Sequence, residues 1–269
     1  MRLTAGIDTG STYTKAIIAD EDGEILGRAQ RPTGYNFSRA AEQALAEALA
    51  AAGLTGEAID YIAATGSGRN VVSFRDLAIT ELTCHAQATH RIFPQVRTIL
   101  DVGGQLVKAI RVDETGRVRA FRLNDKCAAG AGAFLEKTVK YMGHKVDDIP
   151  ALTDAAADPV TVSSVCAVFA ESEVINHLAG GVGVESVCAG AVVALAGRAA
   201  QLVKRVKPEP PLALSGGLTR IALLRIELER RLKQPFLVAD DEMGVYAGAY
   251  GAALLAHRRL RKLQQQVPA

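Results

Sequence analysis

The sequence predicts an α/β protein of two similar lobes, and three observations predict it. Residues 3–64 read strand, turn, strand, turn, strand, helix, strand. The same order opens again at Val96. In both places the first strand ends in an aspartate, followed by a glycine-bearing turn and a returning strand. A duplication of this kind predicts two lobes of βββαβα pattern facing each other rather than one sheet. Residues 1–95 form the first lobe, completed by a C-terminal helix over 245–269, and residues 96–244 the second.

In the first lobe, apolar runs at 3–8, 13–19 and 24–30 read as strands, separated by a Gly-Ser-Thr turn and by Glu21-Asp22-Gly23. Ser38 is a candidate cap for a helix reaching Ala52. Ala41, Ala44, Leu45 and Leu49 recur at helical spacing, and Gly53 supplies the stop. A strand over 58–64 follows. The second lobe repeats the meander at 96–101, 106–112 and 117–123, with a hairpin turn at 113–116. Helices dominate from Ala129 to Val206, with Val184–Val206 rich in Ala, Val and Leu. A short strand at 212–214 leads into Gly216-Gly217, and a helix near 245–263 ends the pattern.

Composition narrows the classes of function. The chain has 269 residues, 49% hydrophobic and 22% charged, enough to bury a core without disulfides. A net charge of +2 with interspersed signs and 5% aromatics argue against nucleic acid as a partner. No unbroken apolar run reaches the roughly 18–20 residues of a membrane span, so no membrane partner is expected and the expected location is the cytoplasm. The four cysteines, Cys84, Cys127, Cys166 and Cys188, then read as thiols or metal ligands rather than a disulfide framework.

The turn Asp8-Thr9-Gly10-Ser11-Thr12, with Lys15 beyond it, carries the parts of a phosphate site. Glycine lets the backbone approach a polyanion, N–H groups and hydroxyls can donate to phosphate oxygens, and a carboxylate at a strand end can hold magnesium through water. Alone, such a turn is also an ordinary hairpin. Asp101-Val102-Gly103-Gly104-Gln105 repeats it in the second lobe, so two hairpins could clasp a triphosphate. Gly216-Gly217, after a strand and before a helix, offers bare backbone against which adenine or ribose could lie, although singly it reads as a tight connection. Together, in this order, the three loops resemble those of the acetate and sugar kinase, heat-shock chaperone and actin superfamily of ATPases. The segments 80–87 and 247–251 look like its two inter-lobe helices. The resemblance implies a two-lobed actin-like fold binding ATP and Mg2+.

Cys127 lies in Asn124-Asp125-Lys126-Cys127-Ala128-Ala129-Gly130-Ala131-Gly132, and Cys166 in Ser163-Ser164-Val165-Cys166-Ala167. Each precedes a helix whose N-terminal N–H groups and dipole favour a thiolate or an anionic cluster. Both could also be small buried residues, the reading that suits Cys188 and Cys84. Two thiolates supply half of a four-ligand set, which a two-fold dimer would complete.

These segments, with Ala64-Thr65-Gly66-Ser67-Gly68-Arg69-Asn70 and Glu81-Leu82-Thr83-Cys84-His85-Ala86, closely resemble the 2-hydroxyacyl-CoA dehydratase activators and the ATPase subunits of benzoyl-CoA reductase, the BadF/BadG/BcrA/BcrD type. The resemblance implies a homodimer or paralogous heterodimer sharing one 4Fe–4S cluster on Cys127 and Cys166. It also implies a ferredoxin or flavodoxin donor and an electron driven by ATP hydrolysis to a CoA-ester-reducing catalytic subunit. Asp8, Asp101 and Gln105 become the candidates for magnesium and water. Gly10, Ser11, Thr12, Lys15, Gly103, Gly104, Gly216 and Gly217 become those for nucleotide, and Glu81 and His85 structural or hinge residues. The chain departs from the pattern at Leu106, where the activators carry Asp, and at Ala131 and Ala133, where they carry Thr and Arg; the last two favour the benzoyl-CoA reductase subunit. A small-molecule kinase and a nucleotide-dependent assembly protein are the alternatives. The two sulfurs are expected to converge at one exposed edge of the second lobe, away from the aspartates.

Overall fold

In a computed structural model, which describes residues 2–124, 131–164 and 167–266, the chain divides into two units. One is built from Met1–Pro94, Thr115–Arg117 and Tyr246–Ala269, the other from Gln95–Glu114 and Val118–Val245.

The first unit contains β1 (Thr4–Thr9), β2 (Tyr13–Ala19), β3 (Ile25–Pro32), α1 (Phe37–Ala52), β4 (Tyr61–Thr65), β5 (Leu77–Ala78) and α2 (Glu81–Ile92). Its sheet runs β3-β2-β1-β4-β5, with β1 antiparallel to β2 and parallel to β4. Every residue of β1 is buried, as a central strand covered on both faces requires. Helix α1 lays Ala44, Ala48 and Leu49 on Ala16, Ile18 and Ala29 of β2 and β3. These small side chains, with Gly27 beneath Ala48, let helix and strand backbones approach closely. Helix α8 (Met243–Gln265), of which this unit holds the part from Tyr246 onward, crosses β1 at Gly6, where any Cβ would overlap Ala249 O, and Thr4 Oγ1 donates to Ala253 O at 3.1 Å.

The second unit repeats the plan with β6 (Thr98–Val102), β7 (Val107–Val112), β8 (Val118–Leu123), β9 (Leu212–Ser215) and β10 (Phe236–Val238). Their order β10-β9-β6-β7-β8 is the first sheet's order, β6 standing for β1 and β9 for β4. Helices α3 (Gly132–Tyr141), α4 (Ile149–Ala155), α5 (Ala167–Ala179), α6 (Val184–Arg205) and α7 (Ala222–Leu232) complete it. Helix α6 packs against α3, α4, α5 and α7, burying residues on all sides from Val187 to Val203.

Several expectations shift. Asn36, not Ser38, caps α1: its side chain accepts the Arg39 N–H at 3.0 Å, while Ser38 Oγ turns to Glu42 inside the first turn. Gly53 closes the helix as expected, at φ 67°. The strand placed at 58–64 begins at Tyr61, because Gly56–Ala58 form a 3-10 turn. Helix α6 is long and apolar enough by composition to cross a membrane, which the sequence reading excluded for every segment. Its burial on all faces makes it the core helix of the second unit. The short strands β5 and β10 escape the sequence reading because their periodic signals span too few residues, whereas the charged helix α7, held by Leu224 and Leu228, follows Gly216-Gly217 as a strand–glycine–helix order requires.

Candidate functional site

In the first unit Asp8 ends β1, and Lys15 stands opposite it in register on β2, with Nζ 3.8 Å from Oδ2. The intervening turn is fastened to the end of β3. Thr33 Oγ1 donates to Gly10 O at 2.8 Å and Thr33 N–H to Thr12 O at 2.9 Å. Ser11 and Thr12 remain partly exposed. Thr65 and Gly66 at the end of β4 form the other wall. Gly66 has φ 89°, and a Cβ on it would lie 2.6 Å from Asp8 Oδ1. Gly68 N–H donates to Thr9 O at 3.0 Å, and Thr9 Oγ1 to Thr65 O at 2.9 Å.

The second unit builds the same device from β6, β7 and β9. Asp101 ends β6, and Lys108 stands opposite on β7 with Nζ 2.6 Å from Oδ2, both side chains buried. Ser215 Oγ donates to Asp101 Oδ1 at 3.4 Å. Gly216, at φ 97°, repeats Gly66: a Cβ would lie 2.5 Å from Val102 O and 2.6 Å from Asp101 Oδ1. Its N–H donates to Gly244 O at 2.8 Å. Among the described residues nothing lies within 4 Å of a Cβ built on Gly217, so that backbone faces open space there. Gly103 N–H donates to Leu106 O at 2.9 Å, closing a tight turn that leaves Gln105 exposed and Leu106 partly buried.

Thus Asp8, Lys15 and the Gly10–Thr12 turn come together in one unit, and Asp101, Gly103, Gly104 and Gly216 in the other. Lys108 and Ser215 join them without having been given a role from the sequence, and Gly66 joins them from the Ala64–Asn70 motif, where no site role was assigned to it. The signal for Lys108 was present, since lysine follows Asp101 at the interval at which Lys15 follows Asp8. Thr65-Gly66 and Ser215-Gly216 likewise match in type and place. The two pairs differ chemically. Lys108 occupies Asp101 Oδ2 at hydrogen-bond distance, whereas Lys15 stands too far from Asp8 for a hydrogen bond.

Cys127 and Cys166 lie outside the described residues, and so does the expected convergence of their sulfurs. Cys84 and Cys188 are buried, and burial pushes both thiols up to about 12. Among the described residues no group of three His, Cys, Asp or Glu side chains could hold a metal ion. The start of α3 also departs from expectation. The Gly132 and Ala133 N–H groups donate to Gly103 O at 3.0 Å and Gly104 O at 2.6 Å, so these two helix-end donors are taken by the second glycine turn. Helices α3 and α5 are tied to each other: Lys137 Nζ lies 2.7 Å from Glu171 Oε1, and Tyr141 OH donates to the same carboxylate. Ser163 N–H donates to Glu173 Oε2 at 2.5 Å, and the Arg198 guanidinium stacks 5.1 Å above the Phe134 ring.

The model of the BadF/BadG/BcrA/BcrD ATPase family matches residues 5–256. An activator of lactoyl-CoA dehydratase from Anaerotignum propionicum is 38% identical, over 96% of this chain and 99% of its own. A benzoyl-CoA reductase subunit from Thauera aromatica is 34% identical, over 99% and 98%. Among solved structures, the activator of 2-hydroxyisocaproyl-CoA dehydratase from Clostridium difficile with bound ADPNP superposes with a TM-score of 0.92. It shows 34% identity and covers 99% of this chain and 98% of that one.

Proposed function

Because the chain belongs to the BadF/BadG/BcrA/BcrD ATPase family, whose fold is actin-like, we propose that it hydrolyses ATP to drive low-potential electrons to a CoA-ester-reducing catalytic component. The donor is a ferredoxin or flavodoxin. The working form is a dimer, of identical or paralogous chains, with one 4Fe–4S cluster held by Cys127 and Cys166 of each. The observation that carries the ATPase reading is the duplicated strand-end aspartate, each with a cross-strand lysine and a positive-φ glycine packed on its carboxylate.

Each candidate residue then has a proposed role. Asp8, whose carboxylate is not hydrogen-bonded to its lysine, holds magnesium through water. Lys15 and the backbone and hydroxyls of Gly10, Ser11 and Thr12 meet the phosphates. Gly103 and Gly104 of the second turn offer bare backbone to phosphate as well, and the exposed Gln105 orients the attacking water, whose oxygen displaces ADP from the γ-phosphorus. Asp101, paired with Lys108, ends the strand that carries this turn and is the second unit's candidate for organising magnesium and water. Gly216 and Gly217 lie against the adenosine, where the open space over Gly217 accepts it. Cys127 and Cys166, the cysteines of the segments that resemble the family, supply the thiolates, while burial pushes the Cys84 and Cys188 thiols up. When bound, the cluster would store one electron and release it at low potential. Ala131 and Ala133 favour the benzoyl-CoA reductase subunit. The identities, 38% to one activator and 34% to the reductase subunit, do not separate it from a free-standing activator.

The test is electron transfer from reduced ferredoxin to a dehydratase or benzoyl-CoA reductase catalytic component, with ATP, ADP or no nucleotide. ATP-dependent transfer accompanied by phosphate release is expected. Phosphate appearing on a small-molecule hydroxyl or carboxylate, without electron transfer, would replace this reading with a kinase.

A further inference from the structure

We infer that Gly248, inside α8, is a positioning residue for the Asp8 carboxylate, a role that rests on Asp8 being the magnesium and water group proposed above. Glycine weakens a helix, and Gly248 is not among the positive-φ residues whose backbone would demand it. Its missing Cβ spares one side chain. A Cβ there would lie 2.6 Å from Asp8 Oδ2, 2.9 Å from Cγ and 3.3 Å from Cβ, and these are its three nearest neighbours. Gly251, less than one turn further on, has a different reason. A Cβ on it would overlap the Cys84 carbonyl of α2, a backbone group that cannot rotate aside. One glycine of α8 therefore lets two helices touch, and the other makes room for a carboxylate.

The opposite edge of Asp8 is held by Gly66, whose Cβ would lie 2.6 Å from Oδ1. Gly66 is explained by its φ of 89° alone; Gly248 is not. Asp8 thus rests between two bare Cα positions, with Lys15 Nζ 3.8 Å from the oxygen that faces Gly248. An alanine at 248 would turn the side chain about χ1 and carry its oxygens off this position. A misplacement of about 1 Å in a reacting group is enough to cost roughly a hundredfold in rate.

Gly248→Ala and Asp8→Ala, alone and combined in the full-length chain, test this. Gly248→Ala is expected to lower kcat for ATP hydrolysis roughly tenfold to a hundredfold. It is also expected to raise the Mg2+ concentration giving half-maximal rate, with KM for ATP little changed. Its melting temperature should not rise, although alanine is the better helix former. In the Asp8→Ala background, where no carboxylate is displaced, the same substitution should raise it. A raised melting temperature in the otherwise wild-type chain, with kcat and Mg2+ dependence unchanged, would overturn the inference. So would failure of both Gly248→Ala and the double variant to fold, since the clash would then not be with Asp8. An Asp8→Ala chain that hydrolyses ATP at the wild-type rate would overturn the assignment of Asp8 itself.

Discussion

Lys108 Nζ stands 2.6 Å from Asp101 Oδ2 with both side chains buried, while the matching pair in the other unit, Lys15 and Asp8, is 3.8 Å apart and more open. One cross-strand motif has become a closed ion pair in one place and a loose one in the other.

The first prediction follows from that asymmetry. Lys108→Met leaves a buried carboxylate without its cation and should cost about 3–5 kcal/mol. Lys15→Met breaks a longer pair and should cost less than Lys108→Met, with its larger effect on nucleotide affinity. Urea unfolding of both variants measures the difference. Equal losses would contradict the distinction drawn between the two pairs.

Gly216 and Gly217 are adjacent and should respond differently. Gly216→Ala forces a side chain into a positive-φ position, with its Cβ 2.5 Å from Val102 O, and should cost more than about 1 kcal/mol. Gly217→Ala meets nothing within 4 Å among the described residues and should leave the melting temperature nearly unchanged while weakening ATP binding, read by titration calorimetry.

The duplicated plan was legible because it repeats: an aspartate, a glycine turn and a returning strand occur twice, and the strands found follow that order. What escaped was carried by side-chain geometry. Nothing in the residue type of Lys108 says that it pairs with Asp101 at hydrogen-bond distance, and nothing in Gly66 or Gly248 says that a carboxylate lies against it. Those relations arise from strand register and from the crossing of α8 over β1. The cap of α1 was misread for a local reason, since Asn36 and Ser38 are both good capping residues and only the backbone decides between them.

Thiol chemistry gives a prediction with a pH sign. Cys84 and Cys188 are held up at about 12 by burial against an ordinary value of 9.0. The unfolded chain therefore releases these protons first, so stability is full below pH 9 and falls as pH rises toward 12. A Cys84→Ala, Cys188→Ala chain should lose less stability over that range. Iron-free native protein at pH 8 should expose only Cys127 and Cys166 to a thiol reagent, and all four cysteines after denaturation.

Glu171 ties α5 to α3 through Lys137 and Tyr141, and these hydrogen bonds hold its carboxyl below the ordinary 4.5. The link should therefore persist at neutral pH and loosen as pH falls below that range. Glu171→Gln should raise hydrogen exchange in the first turns of α5 at pH 7 and remove its acid dependence below the ordinary 4.5. Exchange that stays the same in wild type and variant would show that the two helices are held by other contacts.

The most direct test of the central claim is iron content and electron paramagnetic resonance of anaerobically purified protein, wild type beside Cys127→Ala and Cys166→Ala. The account predicts about four iron atoms per two wild-type chains and a reduced-state signal that changes with ADP and ATP. Both should be lost in each variant while ATP affinity is kept. Wild-type protein without iron, or variants that retain it, would contradict the shared cluster.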